Sequence, residues 1–461
     1  MTSRFRFWVG LLVLLVSWSG DNTVRSEDPD SGWKAGCARA LITPQEPMWM
    51  AGYAARDRPA EGTLDELWAK ALVLEDDQQH QAVLVTLDLI GTDRPFLQAI
   101  HRRLAEQYGL SAEQIALCAS HTHSGPALKN NLSPLHYLVV DAEHQAQIES
   151  YTAHLKDRIV ELVGQALESR EPVALSWGSG RAEFAVNRRN NRPEQDVPQL
   201  RAEGRLQGPT DHDVPVLAVH DVQGDLKAVV FGYACHATVL SGYEWSGDYP
   251  GFAQIELEQA HPGAQAMFWA GCGADQNPLP RRSVQLARDY GRQLAEAVQA
   301  VLHQPMEPLP PRLVTQYREV DLPFAELPSR EQIETDRQSS NRFVAARAQM
   351  LQEQWDQQDG LADTYPYPVQ TWQLGETIQF VILGGEVVVD FALRLKSELR
   401  GTQTWVAGFA NDVMAYIASR RVLDEGGYEG AGAMLYYGLP TSWAPESEDL
   451  IVDEVHRQLA P

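Results

Sequence analysis

Short runs of apolar, largely β-branched residues alternate with longer amphipathic stretches along the chain beyond residue 32. The short runs predict strands, at residues 71–74, 82–87, 114–119, 216–219, 228–234, 266–270, 379–383 and 404–408. The longer stretches repeat apolar residues at the helical period and predict helices, at residues 96–108, 142–168, 284–303 and 387–399. This order predicts an α/β fold in which mixed β-sheets are layered with helices.

The length of the chain sets its domain organisation. At the usual ~100–200 residues per domain, 461 residues allow two or three domains or one large domain. No repeat of fixed period is present, and a shift in composition at residues 305–375 marks a candidate boundary between lobes. We predict a single large domain over residues 32–461. Residues 305–311 are rich in proline and predict a stiff connector. Residues 329–358 are rich in Gln, Arg and Glu with a weak apolar stripe, and predict one long helix inserted at the surface.

The N-terminus has the pattern of a targeting segment. Arg4 and Arg6 precede an apolar run at residues 7–16, which small and polar residues follow. The run is well short of the ~20 residues that span a bilayer, so we predict a signal peptide and disordered leader at residues 1–26. No A-x-A cleavage triplet follows, which leaves an uncleaved anchor as the alternative. Either way, the body is expected to be secreted, periplasmic or attached to the cell envelope.

Composition and charge exclude some classes of function. Lys and Arg number 38 against 62 Asp and Glu, a net charge of −24. Such a charge repels phosphate backbones, so no nucleic-acid partner is expected. Four cysteines without a C-x-x-C pair predict buried thiols rather than a disulfide scaffold or a structural zinc site.

Chemically active side chains follow five of the predicted strands. In chain order they are His121 and His123, then His236, the glycine-rich residues 271–278, Glu386, and Tyr416 a few residues beyond the last strand. At the strand period of two, His121 and His123 point to the same face. Because active sites of open α/β sheets lie at the carboxyl ends of strands, we expect these side chains to share one pocket.

Each of these residues also has a purely structural explanation. A lone histidine at a strand end is more often a hydrogen-bonded core residue than a ligand. Glu386 could cap the following helix, and Tyr416 and Tyr428 could be interior aromatics. The His-x-His pair favours a site, because two imidazoles on one buried face are costly unless they bind a metal or pair with acids.

The residue types indicate a catalytic zinc site. Two imidazoles and a carboxylate match the three-ligand pattern with an open position for water. His236 and Glu386 supply one of each, either member of the His121/His123 pair supplies the other imidazole, and the Tyr416 phenol could complete the shell. Zinc activates water and polarises a carbonyl, which predicts hydrolysis of an amide or ester. G-x-S-x-G, H-E-x-x-H and G-x-G-x-x-G are absent, which argues against serine hydrolases, common zinc proteases and dinucleotide enzymes.

The ordered set of motifs resembles a known family. The motifs are Ala35 to Pro44, Met50 to Tyr53, Ser120 to Pro126, Asn187-Arg188, Ser246 to Asp248, Gly385-Glu386, Tyr416 and Tyr428 to Ala431. In this order they resemble the catalytic domain of the neutral, non-lysosomal ceramidases. The resemblance implies a single large catalytic domain that hydrolyses the N-acyl bond of ceramide with one Zn²⁺ ion.

The resemblance also implies a role for each matching residue. His121, His236, Glu386 and Tyr416 would hold the zinc ion. His123 would act as acid or base toward the scissile group. Arg188 and Tyr428 would orient the substrate or stabilise the developing oxyanion. The substrate would be a small amphiphilic N-acyl compound reached by peripheral membrane contact, and no obligate protein partner is evident.

Two departures from the family pattern modify this expectation. Asn277 stands where the family loop has a serine, so we expect a zinc-bound water to attack directly while Asn277 donates a hydrogen bond to the oxyanion. The family enzymes continue with an immunoglobulin-like C-terminal domain, whereas this sequence stops at Pro461. The alternatives are a metal hydrolase of a non-lipid amide or ester, and a non-catalytic binding protein of the same fold.

Overall fold

The computed structural model describes residues 1–2, 32–399 and 403–460. Apart from Met1 and Thr2, the predicted signal peptide and leader at residues 1–26 lie outside the described residues. Within the described part of the chain, no helix is both long and apolar enough to cross a membrane.

Strands and helices alternate along most of the chain. The strands are β1 (Trp33–Leu41), β2 (Gly62–Thr63), β3 (Trp68–Glu75), β4 (Gln81–Leu87), β5 (Ile115–Ala119), β6 (Glu171–Arg181), β7 (Ala185–Asn187), β8 (Asp213–Asp221), β9 (Leu226–Tyr233), β10 (Glu244–Trp245), β11 (Gln265–Ala270), β12 (Gln276–Pro278), β13 (Glu307–Pro308), β14 (Leu313–Pro323), β15 (Thr364–Leu374), β16 (Ile378–Leu383), β17 (Glu386–Val387), β18 (Gln403–Ala407) and β19 (Tyr416–Ile417). The α-helices are α1 (Arg94–Tyr108), α2 (Ser133–His136), α3 (Ala142–Glu168), α4 (Val197–Ala202), α5 (Asp248–Ala260), α6 (Val284–Leu302), α7 (Arg330–Asp336), α8 (Arg342–Gln358), α9 (Val389–Glu398), α10 (Arg420–Glu425), α11 (Met434–Tyr437) and α12 (Ser447–Leu459).

The larger sheet has the strand order β11-β9-β8-β6-β1-β3-β4-β5, with β13 pairing to β6. The pairs β9/β11 and β4/β5 are parallel, and the pairs between them are antiparallel. The sheet curves so strongly that its edge strands β5 and β11 come into contact. Hydrogen bonds from the chain after β18 reach both edges, since Gly408 N–H donates to Ala270 O and Ala119 N–H donates to Phe409 O.

A second sheet, of order β14-β15-β16-β18, packs against the larger one. Trp269 of β11 stacks on Phe380 of β16 with ring centroids 5.7 Å apart, and Trp405 of β18 packs against Trp177 of β6 at 5.6 Å. Helices α1, α3, α5 and α6 cover the outer face of the larger sheet, and α9 and α12 cover that of the second. The result is a helix–sheet–sheet–helix sandwich, which confirms the predicted class of mixed sheets layered with helices.

Local sequence signals explain where the helices begin. The carboxylate of Asp93 accepts the N–H of Phe96 at the start of α1, and Asp141 accepts the N–H of His144 at the start of α3. Ser283 does the same for α6, accepting from Leu286 N–H. Alternation along the strands sorts the two cores, as in β9, where Ala228 and Val230 face the second sheet while Val229 and Phe231 face the helices.

One expectation about the second half of the chain needs correction. Residues 329–358 form two helices instead of one. α7 ends at Asp336, and Asn341 caps the start of α8 by accepting the Phe343 N–H. The connector at residues 305–311 contains the short strand β13, which pairs with β6. The four cysteines are free thiols, and all but Cys37 are buried.

Candidate metal centre

The two sheets meet where several strands end, and His121 and His236 lie at that junction. β5 ends two residues before His121, and β9 ends three residues before His236. β9 and β11 run parallel, so the segment carrying His236 passes beside the turn that follows β11. A Cβ atom on Gly273 in this turn would lie 2.3 Å from the backbone nitrogen of Cys235, so only glycine permits the approach.

A short parallel pairing brings a carboxylate and a phenol to the same place. β17 and β19 pair with Glu386 opposite Tyr416, and both side chains are buried. The N–H of Glu386 donates to the carbonyl of Ala415 at 2.7 Å. Backbone hydrogen bonds therefore fix the relative position of two side chains that are distant in sequence.

The histidine hydrogen bonds determine which ring nitrogens carry hydrogen. His121 Nδ1 lies 2.6 Å from the carbonyl of Ile90, and His236 Nδ1 lies 2.8 Å from that of Gly273. A carbonyl oxygen only accepts, so Nδ1 carries a hydrogen in both rings. In the neutral form of such a ring, the Nε2 atom is the one that presents a lone pair.

These lone pairs converge on the carboxylate. Glu386 Oε2 lies 3.3 Å from His121 Nε2 and 3.1 Å from His236 Nε2. Burial and the nearby Arg188 lower the pKa of His236 to about 4, so this imidazole is neutral near pH 7. Although burial alone would raise the pKa of Glu386, the two histidines hold it well below its ordinary value. The three atoms are so close that a shared proton or a cation must lie between them, and two imidazole nitrogens with a carboxylate oxygen are donors that suit a zinc ion.

The ring of His123 lies next to that of His121. Its Nε2 atom is 3.2 Å from His121 Nε2, and its ring contacts Tyr53 with centroids 4.9 Å apart. The ligand atoms of His121, His123 and His236 lie within 4.8 Å of one another, close enough to hold one metal ion. Burial, together with the other two imidazoles, lowers the pKa of His123 well below its ordinary value.

The rings of His121 and His123 do converge, but the predicted cause, a shared face of one strand, is wrong. The period-two argument requires a strand through both residues, but β5 ends at Ala119 and His121 has φ 59°, in the left-handed region. Gly52 allows His123 to enter, since its φ is 109° and a Cβ atom there would lie 2.6 Å from Cβ of His123. A tight turn, rather than an extended strand, brings the two rings together.

Arg188 and Asn277 reach the junction on another pair of short strands. β7 and β12 pair antiparallel with Val186 opposite Asn277, and Arg188 follows β7 directly. Arg188 Nη2 donates to the Tyr416 hydroxyl at 3.0 Å, and Nη1 donates to Asn277 Oδ1 at 3.3 Å. Its Nε–H donates to Glu429 Oε1 at 2.7 Å. The guanidinium therefore holds the phenol and the amide in place.

Of the sequence-predicted site residues, Tyr428 is the most exposed to solvent, at 44%. Its ring lies edge-on to Tyr416 with centroids 5.3 Å apart, and the guanidinium carbon of Arg188 lies 6.0 Å from its ring centre. Among the described residues, its hydroxyl has no hydrogen-bond partner. Tyr428 thus presents a free polar group on the solvent side of the cluster.

Two residues that contact the cluster were not among the predicted site residues. Glu429 accepts hydrogen bonds from Arg188 and from Arg189, and it is buried. The Tyr437 hydroxyl donates to Glu386 Oε1. Glu429 follows the Tyr428 motif residue directly, so its acidic side chain was a visible signal, but nothing in the local sequence marks Tyr437.

His136 supports the cluster from α2 and leads to a prediction about pH. Its Nε2 atom accepts the Gly52 N–H at 2.8 Å, and burial and the nearby Arg56 lower its pKa from 6.5 to about 3. The fold keeps His136 neutral, whereas the unfolded chain takes up a proton there below pH 6.5. The stability that His136 contributes is therefore present above pH 6.5 and is lost as the pH falls. Between pH 6 and 4, we expect the wild type to lose up to about 1.4 kcal/mol more per pH unit than His136→Gln.

Urea unfolding of both proteins across this pH range measures the difference. The other buried histidines are common to both proteins, so their contribution cancels. Parallel pH dependences would show that His136 is not held neutral by the fold.

Fold and site together define an α/β sandwich with a buried cluster of histidine, carboxylate and phenol side chains, of types that can bind a metal, near its strand ends. Residues 33–350 match the model of the neutral/alkaline non-lysosomal ceramidase family, N-terminal domain. Because this match spans well over half of the sequence, the chain belongs to that family.

Curated relatives agree with this assignment. The chain is similar to the proteins called neutral ceramidase in Drosophila melanogaster, at 26% identity over 266 residues, and in Drosophila pseudoobscura pseudoobscura, at 25% over 264 residues. Each similarity covers 53% of this chain and 35% of the relative. The matched region is therefore about a third of the length of these relatives.

Solved structures agree at the level of the fold. The crystal structure of neutral ceramidase from Pseudomonas aeruginosa superposes with a TM-score of 0.69 at 20% identity, covering 93% of this chain and 74% of that one. A ceramidase complexed with C2 gives a TM-score of 0.69 at 18% identity, covering 92% of this chain and 76% of the other. At these identities the likeness shows a shared fold.

Proposed function

We propose that this protein is a zinc-dependent amidohydrolase that cleaves the N-acyl bond of a ceramide-like amphiphile. One observation carries the proposal: the Nε2 atoms of His121 and His236 converge on one buried oxygen of Glu386. Membership of the neutral ceramidase family supports the choice of an acyl-amide substrate.

In this proposal His121, His236, Glu386 and Tyr416 hold the zinc ion. Two imidazoles and a carboxylate fit zinc in donor type, and the Tyr416 hydroxyl lies 3.3 Å from His236 Nε2. The Arg188 N–H that reaches this hydroxyl favours its phenolate form, which opposes the rise in the Tyr416 pKa caused by burial. Bound there, zinc would polarise the acyl carbonyl and lower the pKa of water toward ~7.

The protein groups around the cluster have separate roles. His123 is neutral, so it can take a proton from the attacking water and pass it to the leaving nitrogen. Asn277 Oδ1 accepts from Arg188 and from Thr238, which leaves the amide hydrogens of Asn277 as donors to the oxyanion. Tyr428 offers its hydroxyl from the solvent side. Since the side-chain amide of Asn277 cannot form an acyl-enzyme, water attacks the acyl carbonyl directly.

The proposal extends to location and substrate access. The charged, apolar and polar segments at the N-terminus support export from the cytoplasm. An amphiphilic substrate would be taken from a membrane surface by peripheral contact. Neither an obligate protein partner nor a nucleic acid is part of the proposal.

Metal analysis of purified variants tests the site. We expect wild type to bind about one zinc ion per chain, and His121→Ala and Glu386→Ala to lose it, because each removes one of a few ligands. His154→Ala is the matched control, since His154 is an exposed histidine on α3 and should leave zinc content unchanged. Full zinc occupancy in both ligand variants would overturn the assignment.

A substrate panel tests the reaction. Ceramide and water-soluble N-acyl compounds would be compared with the zinc-loaded wild type, and preferential cleavage of ceramide is expected. Preference for the soluble compounds would keep the metal hydrolase and reject the lipid substrate. Bound zinc without turnover of any acyl compound would identify a binding protein instead.

A further inference from the structure

The carboxylate of Glu386 has two oxygens, and the two have different partners. Oε2 faces the Nε2 atoms of His121 and His236. Oε1 instead accepts a hydrogen bond from the hydroxyl of Tyr437, a residue that is 8% exposed. The orientation of the carboxylate is therefore set by a residue that does not itself reach the imidazoles.

We propose that Tyr437 is a positioning residue that fixes Glu386 for metal binding. This proposal rests on the zinc site proposed above. A carboxylate that can rotate presents either oxygen and spends part of its time away from the imidazoles. A hydrogen bond to the oxygen that does not bind metal removes this freedom, and groups that orient ligands in this way typically contribute 10–100-fold in metal affinity.

Packing against α8 holds the turn that carries Tyr437. α11 consists of one turn that ends at Tyr437, and Gly438 follows with φ 80°. A Cβ atom on Gly438 would lie 2.8 Å from Cε of Met350 in α8, so α8 packs directly against the end of this turn. The preceding residue, Tyr436, has its ring 5.5 Å from that of Phe343, also in α8.

In this proposal α8 has a supporting role that the sequence did not predict. It belongs to the segment predicted as a surface insertion, yet it contacts both α11 and α2. α11 carries Tyr437, and α2 carries His136, whose Nε2 atom binds the Gly52 N–H beside His123. Helix α8 thus supports two elements that position side chains of the cluster.

The test is the zinc affinity of Tyr437→Phe, measured by competition with a chromophoric chelator. The variant keeps the ring and removes the hydroxyl, so the fold should be retained while zinc affinity falls 10–100-fold. Tyr436→Phe is the matched control, because it removes a hydroxyl from the same turn and should leave affinity within about twofold of wild type.

A spectroscopic measurement separates positioning from a general loosening of the fold. With Co²⁺ in place of zinc, we expect Tyr437→Phe to change the visible absorption bands, which report ligand geometry, whereas Tyr436→Phe should leave them as in wild type. Equal zinc affinity and identical Co²⁺ spectra for wild type and Tyr437→Phe would overturn the positioning role. If the wild type itself bound no zinc, the proposed function would fail first, so the two failures are distinguishable.

Discussion

Replacement of Glu429 by alanine is expected to lower the free energy of unfolding by about 3–5 kcal/mol. The Glu429 carboxylate is 2% exposed and accepts from Arg188 Nε at 2.7 Å and Arg189 Nη1 at 2.6 Å. Because the two arginine side chains are only 13% and 9% exposed, water cannot replace the lost partner. The variant would leave the buried Arg188 without a carboxylate partner and Arg189 with Glu425 alone.

Glu425→Ala is the matched control for this prediction. Glu425 pairs with the same Arg189, but its side chain is 39% exposed, so its removal should cost no more than about 1 kcal/mol. Urea unfolding of the two variants beside the wild type gives the comparison. Similar losses of unfolding free energy in both variants would mean that the burial of Glu429 does not increase the cost of removing its carboxylate.

Replacement of His123 by alanine is expected to reduce kcat by about 10²–10⁴-fold while zinc remains bound. His123 is the imidazole of the cluster that does not face Glu386 in the ion-pair geometry, and its Nδ1 atom is buried without a hydrogen-bond partner among the described residues. As the proposed proton carrier, it should affect turnover rather than metal binding.

Zinc content and hydrolysis of ceramide, measured on the same preparation, check this prediction. His154→Ala again serves as control and should retain both. If His123→Ala lost zinc to the same degree as His121→Ala, His123 would be a ligand. If it kept full activity, the acid–base role would be excluded.

Much of the fold could be predicted because local pattern and tertiary environment agree. The strand predicted at residues 82–87 corresponds to β4, and the helix predicted at residues 142–168 corresponds to α3. β14 was not predicted, because it carries Arg318, Glu319 and Asp321 and lies at the edge of the second sheet, where polar side chains reach solvent. There the apolar pattern of a strand is weak.

The candidate site could be predicted only in part. Two imidazoles on one buried face are costly without a metal or an acid, so the residue types indicated His236, Glu386 and one of His121 and His123. The choice of His121 came only from the resemblance to the family. Tyr437 could not be found in this way, because a tyrosine in a short helical turn has the same local pattern whether or not its hydroxyl meets a carboxylate. Its role depends on the packing of α11 against α8, which connects distant parts of the chain.

The curvature of the larger sheet has a consequence for how the molecule assembles. His121 follows the strand at one margin of this sheet, and His236 follows the neighbour of the strand at the opposite margin. The two imidazoles face each other only once the sheet has rolled up and its seam has closed. An ion bound by both imidazoles would join the two margins of the sheet and so stabilise its rolled form against unfolding.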